Sequence, residues 1–329
     1  MRPSVFITQP IAHSAIERLR GIADVEWNPD TMHTLTKDEL CAGVHEHDIL
    51  FCLLQDHVDG DVIAANPGLR AVASMKITPS DIDVAAATSR RIPVTVIPPV
   101  VTEATADLHF GLLLAVARRL VEGDRLLRSG VFPGAQSTHL EGAFAWGKTI
   151  GLVGGGGRIG RAVAKRARGF SMRTLYWGPR RIAESEEREL GLVYASLDRL
   201  LTDSDFVSIH APLKPETHHL IGARELALMK PTAFLVNTSR GPIVDEQALV
   251  RALLDRRIAG AGLDVYEREP EVEPQLLDMP NVVLTPHQGS AVAELREEMA
   301  HMVVDNIVAV IEGRQPPNCW NPEIYASAP

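Results

Sequence analysis

The chain has 329 residues, which at about 150 residues per domain corresponds to about two domains. Its 33 Lys+Arg against 42 Asp+Glu give a net charge of −9 with no long basic run, which argues against a nucleic-acid or anionic-membrane binder. With 45% hydrophobic and 23% charged residues it reads as a globular chain that can bury a core without disulfide or metal staples. Short apolar runs at 4–8, 48–54, 70–75 and 93–97 read as strands, with helical patterns at 14–21, 35–44, 61–66 and 81–91 between them. Thr36 and Glu39 form a T-x-x-E capping box. A long helical stretch follows at 102–128, then a Gly/Ser/Pro-rich loop at 129–136. A second series opens at Lys148, with strands near 149–153, 173–177, 205–210, 233–237, 260–265 and 282–285, and a last helix near 291–312. This alternation predicts an α/β fold with mostly parallel sheets covered by helices on both faces. Three cysteines without C-x-x-C spacing (Cys41, Cys52, Cys319) point away from a disulfide framework or structural zinc and toward a reducing, cytoplasmic setting, and no metal is expected. The start MRPSVFITQP has no signal-like apolar core, and the most apolar helical stretch, 110–117, is too short to span a bilayer.

The stretch KTIGLVGGGGRIGRAVAKRARGF carries the strongest local motif. Gly155-x-Gly157-x-x-Gly160 follows an apolar strand and opens a helix, the context a dinucleotide needs. Glycines permit a tight turn and close approach to a pyrophosphate, and the helix N-terminus supplies N–H donors, here with Arg158 and Ile159 in its first turn. The run of glycines from Gly154 leaves the register open by one residue. The second strand of such a unit commonly ends in an acid that holds the ribose 2′-OH. Here it ends Tyr176-Trp177-Gly178-Pro179-Arg180-Arg181, with no acid before Glu184. Two arginines suit a 2′-phosphate, so NADP(H) is preferred and NAD(H) stays possible; the bland alternative is a solvated pair.

Three polar residues stand at apolar strand ends of the second series: Arg240 in LVNTSRGPIV, Glu269 in GLDVYEREP and His287 in VVLTPHQGSA. Carboxyl ends of parallel strands face the ligand crevice. A guanidinium can clamp a carboxylate, an imidazole can exchange a proton near neutral pH, and a carboxylate can orient it. Each alone could be a turn residue, one of many loop acids, or a structural histidine.

Together with TEATADLHFGLLLAVARRL, DFVSIHAPLKPETHHLIG and MKPTAFLVNTSRGPIVDEQALVRAL, these segments resemble the D-isomer-specific 2-hydroxyacid dehydrogenase family over nearly the whole chain. The resemblance implies two Rossmann-like doubly wound lobes, with a cofactor lobe (102–290) inserted into a discontinuous substrate lobe (1–101 and 291–329) and the active site in the cleft. It implies that Arg240, Glu269 and His287 are catalytic, that Asp264 and Thr238 face the nicotinamide, and that His210, Ala211 and Pro212 line the adenosine side. Thr105 and Thr217 join the cofactor set, and Ser290 lies beside the substrate. The implied reaction is hydride transfer between NAD(P)H and a small anionic 2-oxoacid of the glyoxylate/hydroxypyruvate type, in a homodimer joined near 102–128.

One segment departs from the family pattern. A glycine-rich loop of the form G-x-G-x-D-N-I-D is expected to receive the substrate carboxylate, but here it reads Ser74-Met75-Lys76-Ile77-Thr78-Pro79-Ser80-Asp81-Ile82-Asp83. Both glycines are gone, Pro79 lacks an N–H, and Lys76 is added. Lys76, Ile77 and Thr78, with Leu54 on the neighbouring strand end, are the expected substrate contacts. The added cation leaves phosphite oxidation as an alternative, and a nucleotide-sensing corepressor of the same scaffold as a second.

Overall fold

A computed structural model describes residues 2–326. The chain divides into two compact units, residues 1–100 with 291–329, and 101–290.

The first unit carries β1 (Ser4–Ile7), β2 (Asp24–Trp27), β3 (Ile49–Cys52), β4 (Ala71–Ser74) and β5 (Val94–Thr95), in the parallel order β2-β1-β3-β4-β5. Its central strands are buried along their whole length, ILFC in β3 and AVAS in β4, as a sheet covered on both faces requires. The edge strand β2 alternates exposed and half-buried residues and lacks an apolar run, which hides it from sequence periodicity. Thr36 and Glu39 close the expected capping box on the helix Lys37–Glu46. The helix expected over 81–91 begins only at Val84, because the Asp83 side chain accepts from the Ala86 N–H and caps it.

The second unit carries β6 (Thr149–Val153), β7 (Arg173–Trp177), β8 (Leu192–Tyr194), β9 (Phe206–Ile209), β10 (Phe234–Asn237), β11 (Gly260–Leu263) and β12 (Val282–Leu284), parallel throughout in the order β12-β11-β10-β9-β6-β7-β8. Successive residues feed opposite faces. Phe206, Phe234 and Val236 join Ile150, Leu152 and Tyr176 in one core, while Val207, Leu235 and Val153 join Leu175 and Ile209 in the other. The single helix expected over 102–128 is two helices, Thr102–Ala117 and Leu120–Arg128. Arg119 between them takes a left-handed backbone (φ 53°), which ends one i→i−4 ladder and starts another. Thus both units are doubly wound parallel α/β sheets, as the family resemblance implies. In each the strand order reverses once, between β6 and β9 in the second unit and between β1 and β3 in the first. Such switch points are where open sheets of this kind bind ligands.

Candidate active site

At the switch point of the second unit the chain leaves β6 through Gly154 at φ 86°. A Cβ on Gly154 would lie 2.5 Å from the Ala211 N, so the turn and the loop after β9 meet backbone to backbone. A Cβ on Gly160 would lie 2.6 Å from the Gly155 Cα, so the helix start packs directly on the turn. Gly157 precedes the helix Arg158–Gly169 and offers no side-chain cap, so the first-turn N–H groups stay open at the mouth of the turn. Arg158 is exposed there, and Ile159 packs into the core behind it. The cradle therefore fits a pyrophosphate on an observation of its own: bare backbone donors, no capping side chain and no room for a Cβ.

The two arginines after β7 separate. Arg181 is tied to Glu187 by two hydrogen bonds of 2.8 and 2.7 Å, and Glu187 also accepts from the Tyr176 hydroxyl at 2.7 Å. Those bonds hold the Glu187 carboxyl down to about 2 and raise the Arg181 guanidinium. Arg181 is thus engaged within the loop, while exposed Arg180 makes no such contact among the described residues. Tyr176 completes the lock by accepting from the Ile182 N–H at 3.0 Å. Glu187 had no signal in the sequence, since it stands among the acids of the helix Glu184–Leu190.

The loop after β9 holds His210 and Ala211, with Pro212 exposed beyond them. The Ala211 carbonyl accepts from Ser239 Oγ at 2.6 Å, and Thr217 Oγ1 donates to the Pro212 carbonyl at 2.7 Å. His210 Nε2 lies 2.5 Å from Ser208 Oγ, and burial pushes its imidazole down to about 3, so it is neutral. Its Nδ1 and the Thr238 Oγ1 are buried polar atoms without a hydrogen-bond partner among the described residues. Fully buried His109 stacks edge-on to His210 at 5.1 Å and reaches the same serine. A histidine inside an apolar helix was the available signal for it.

The ends of β10, β11 and β12 are joined through Asp264. Its N–H donates to the Asn237 carbonyl at 3.0 Å, and its own carbonyl accepts from the His287 N–H at 2.9 Å. Its buried carboxylate accepts from Thr285 Oγ1 (2.6 Å) and the Gln288 N–H (2.8 Å), yet burial still pushes it above the usual range. Thr105 lies alongside, donating to the Val101 and Gly289 carbonyls at 2.9 and 3.3 Å, and half-buried Ser290 follows. His287 sits at φ 49°, a conformation costing about 1–3 kcal/mol in a non-glycine residue and kept only where its surroundings impose it. Its Nδ1 lies 2.7 Å from Glu269 Oε2, and Glu269 Oε1 accepts from the Tyr266 N–H at 3.0 Å. Burial pushes the Glu269 carboxyl up, but the His287 hydrogen bond and charge, with the Tyr266 N–H and the Arg240 charge, carry it below the ordinary value. Arg240 projects from the turn after β10, where Asn237 Nδ2 donates to its carbonyl at 3.0 Å. Gly241 allows that turn: a Cβ there would fall within 1.8 Å of the Tyr266 carbonyl oxygen. The second unit thus brings Arg240, Glu269 and His287 into one electrostatic group with His287 Nε2 free of this pairing.

The expected substrate loop lies in the first unit. Lys76 is buried, and its Nζ donates to Asp81 Oδ2 at 2.8 Å and to the Asp56 carbonyl at 3.0 Å. In this structure the charge is met by Asp81 within the loop. Burial alone would raise the Asp81 carboxyl, but the Lys76 hydrogen bond and charge turn the net shift downward. Asp56 is itself buried and raised, accepting from Thr8 Oγ1 and from the Leu53 N–H (2.6 Å). Ile77 is half-buried, whereas Thr78 and Leu54 are exposed.

Residues 110–289 match the family model for the NAD binding domain of D-isomer specific 2-hydroxyacid dehydrogenases. The chain is 45% identical to a glyoxylate reductase of Thermococcus litoralis, covering 100% of both chains. Its fold matches the crystal structure of a glyoxylate reductase from Paecilomyes thermophila with a TM-score of 0.79 and 31% identity over 98% of this chain and 99% of that one. It also matches an NADPH-dependent glyoxylate/hydroxypyruvate reductase from Sinorhizobium meliloti, solved with NADP and malonate, with a TM-score of 0.76 and 31% identity over 97% of each chain. The chain is an oxidoreductase belonging to the D-isomer specific 2-hydroxyacid dehydrogenase family.

Proposed function

We propose that this protein is a reductase of small 2-oxoacids, glyoxylate or hydroxypyruvate, preferring NADPH, with residues 102–290 holding the dinucleotide and residues 1–101 and 291–329 serving the substrate. The observation that carries the reading is the 2.7 Å contact of His287 Nδ1 with Glu269 Oε2, on a carboxylate that also feels Arg240. The names of the relatives support the substrate class. Gly155, Gly157, Gly160, Arg158 and Ile159 would hold the pyrophosphate, Arg180 the 2′-phosphate, and His210 to Pro212 with Thr217 the adenosine side. Thr105, Thr238 and Asp264 would face the nicotinamide, and Ser290 the substrate. A bound dihydronicotinamide supplies the hydride.

The remaining steps belong to this chain's side chains. Arg240 binds the substrate carboxylate as a planar cation. Ionised Glu269 occupies His287 Nδ1, which leaves Nε2 to give a proton to the substrate carbonyl oxygen. Run in reverse, the same nitrogen takes the proton from the 2-hydroxyl. Exposed Leu120, Leu127, Val131, Phe132, Phe144 and Trp146 support pairing of two copies as a homodimer. Among the described residues no helix is long and apolar enough to cross a membrane. The three free cysteines suit a reducing, cytoplasmic setting.

The test is loss of reduced-nicotinamide absorbance with a panel of 2-oxoacids, comparing NADPH with NADH. Turnover of glyoxylate or hydroxypyruvate, and a fall of about 10²–10⁴-fold in kcat for His287→Gln, are the expected results. No turnover of any 2-oxoacid would overturn the reading. Reduction of NADP+ by phosphite instead would restore the alternative built on Lys76, which the Lys76–Asp81 contact does not favour.

A further inference from the structure

Beside the loop that carries Glu269, His218, His219 and Glu267 offer ligand atoms that all lie within 4.8 Å of one another. Neighbouring side chains on an extended strand point to opposite sides. These two histidines instead stack, with ring centroids 4.0 Å apart and planes 26° off parallel. The cause is local: His219 takes a left-handed backbone (φ 49°), and its N–H donates to the Pro242 carbonyl at 2.8 Å. That conformation is strained for a histidine and is imposed by its surroundings.

Glu267 is aimed as well. Its Oε2 accepts from the Glu246 N–H at 3.0 Å, and its own N–H donates to Glu246 Oε2 at 3.1 Å. This reciprocal pair fixes the carboxylate to the start of the helix Glu246–Leu254 and leaves Oε1 facing His219 Nε2 at 2.7 Å. Such anchoring of a ligand by an outer hydrogen bond is how metal sites orient their donors. Glu246 and Glu273 add negative charge nearby. The backbone N–H of exposed His218 donates to the Lys214 carbonyl at 3.0 Å, while its imidazole makes no hydrogen bond among the described residues.

We propose that His218, His219 and Glu267 form a site for one divalent transition metal of the zinc class. Two imidazoles and a carboxylate without thiolate suit Zn²⁺, Co²⁺ or Ni²⁺, with a remaining position for water. Bonds of about 2.0–2.2 Å at a tetrahedral ion separate ligands by about 3.4 Å, so the ion replaces the His219–Glu267 hydrogen bond through small side-chain rotations. Occupancy links the segment after β9 to the loop that carries Glu269, two residues beyond the ligand Glu267.

The experiment uses the full chain, stripped with chelator and titrated with Co²⁺ alone, reading the visible d–d absorption and then its displacement by Zn²⁺. The expected result is a band that saturates at one equivalent and weakens at least about tenfold in affinity in His218→Ala and His219→Ala, but not in the distant control His13→Ala. Zn²⁺ is also expected to raise the melting temperature of the wild type and not of His218→Ala. His218 is exposed, so its removal tests the site without threatening the fold. No saturable band, or equal bands in all four proteins, would overturn the site. Neither readout depends on turnover, so the site and the reductase reading stand or fall separately.

Discussion

The two sheets solve the same topological problem in opposite ways. At the switch point between β6 and β9 the chain withdraws its side chains. Gly154 and Gly160 bring backbone against backbone, and Gly157 leaves helix N–H groups uncapped. At the switch point between β1 and β3 side chains close over the strand ends. Thr8 and the Leu53 N–H donate to Asp56, and Lys76 donates to the Asp56 carbonyl and to Asp81. The fold creates a crevice in both places, and composition decides whether its polar groups stay available. Glycine keeps an anion site open because it has nothing to fold back. A lysine with a carboxylate five residues away satisfies itself.

Several variants would break or sharpen this contrast. Gly160→Val should have the largest effect, at least about a 100-fold loss of NADPH affinity in a tryptophan-quenching titration, because the clash is with backbone that has no alternative position. Unchanged affinity would take the open switch point out of cofactor binding. Arg180→Ala should weaken NADPH by about 10–100-fold and leave NADH unchanged, the size of one charge-assisted contact. Arg181→Ala should cost both cofactors alike and less, since it acts through Glu187 on the shape of the loop. Equal, NADPH-selective losses would show that the Arg181–Glu187 pair opens for the phosphate.

At the closed switch point, Lys76→Met should lower the unfolding free energy by about 1–2 kcal/mol, between an exposed and a fully buried pair because Asp81 is half exposed. KM for the 2-oxoacid should stay within about threefold. A large rise in KM at unchanged stability would place the lysine on the substrate. The smallest effect is in pH. The Asp81 carboxyl is lowered in the folded chain, so its contribution is present above the ordinary aspartate value of about 3.9 and is lost as pH falls through the folded value. The urea-midpoint gap between wild type and Lys76→Met should therefore narrow below about pH 4 and be constant above about pH 5. A gap that persists at acid pH would remove Asp81 as the partner that matters.

Much of this was legible in the residues. Central strands announced themselves as apolar runs, and the glycine motif stood between a strand and a helix. The edge strands β2 and β8 were invisible because one side of each faces water and only three or four residues pair. Arg119 and the broken helix leave no mark in the pattern because an apolar period continues across a single left-handed residue. Arg180 and Arg181 look alike in sequence, and only the position of Glu187, six residues after Arg181, tells them apart.

By itself the sequence determined the layered α/β class, the strand-end positions of Arg240, Glu269 and His287, and the anion-ready turn at Gly155, because local periodicity and backbone freedom are encoded residue by residue. Tertiary structure decided which charges are available. Glu269 meets His287 across 18 positions through the parallel register of β11 and β12, and Lys76 meets Asp81 inside a loop without regular hydrogen bonding. A charge is available or spent according to what packs beside it, and packing between separated segments leaves no periodic trace in the chain.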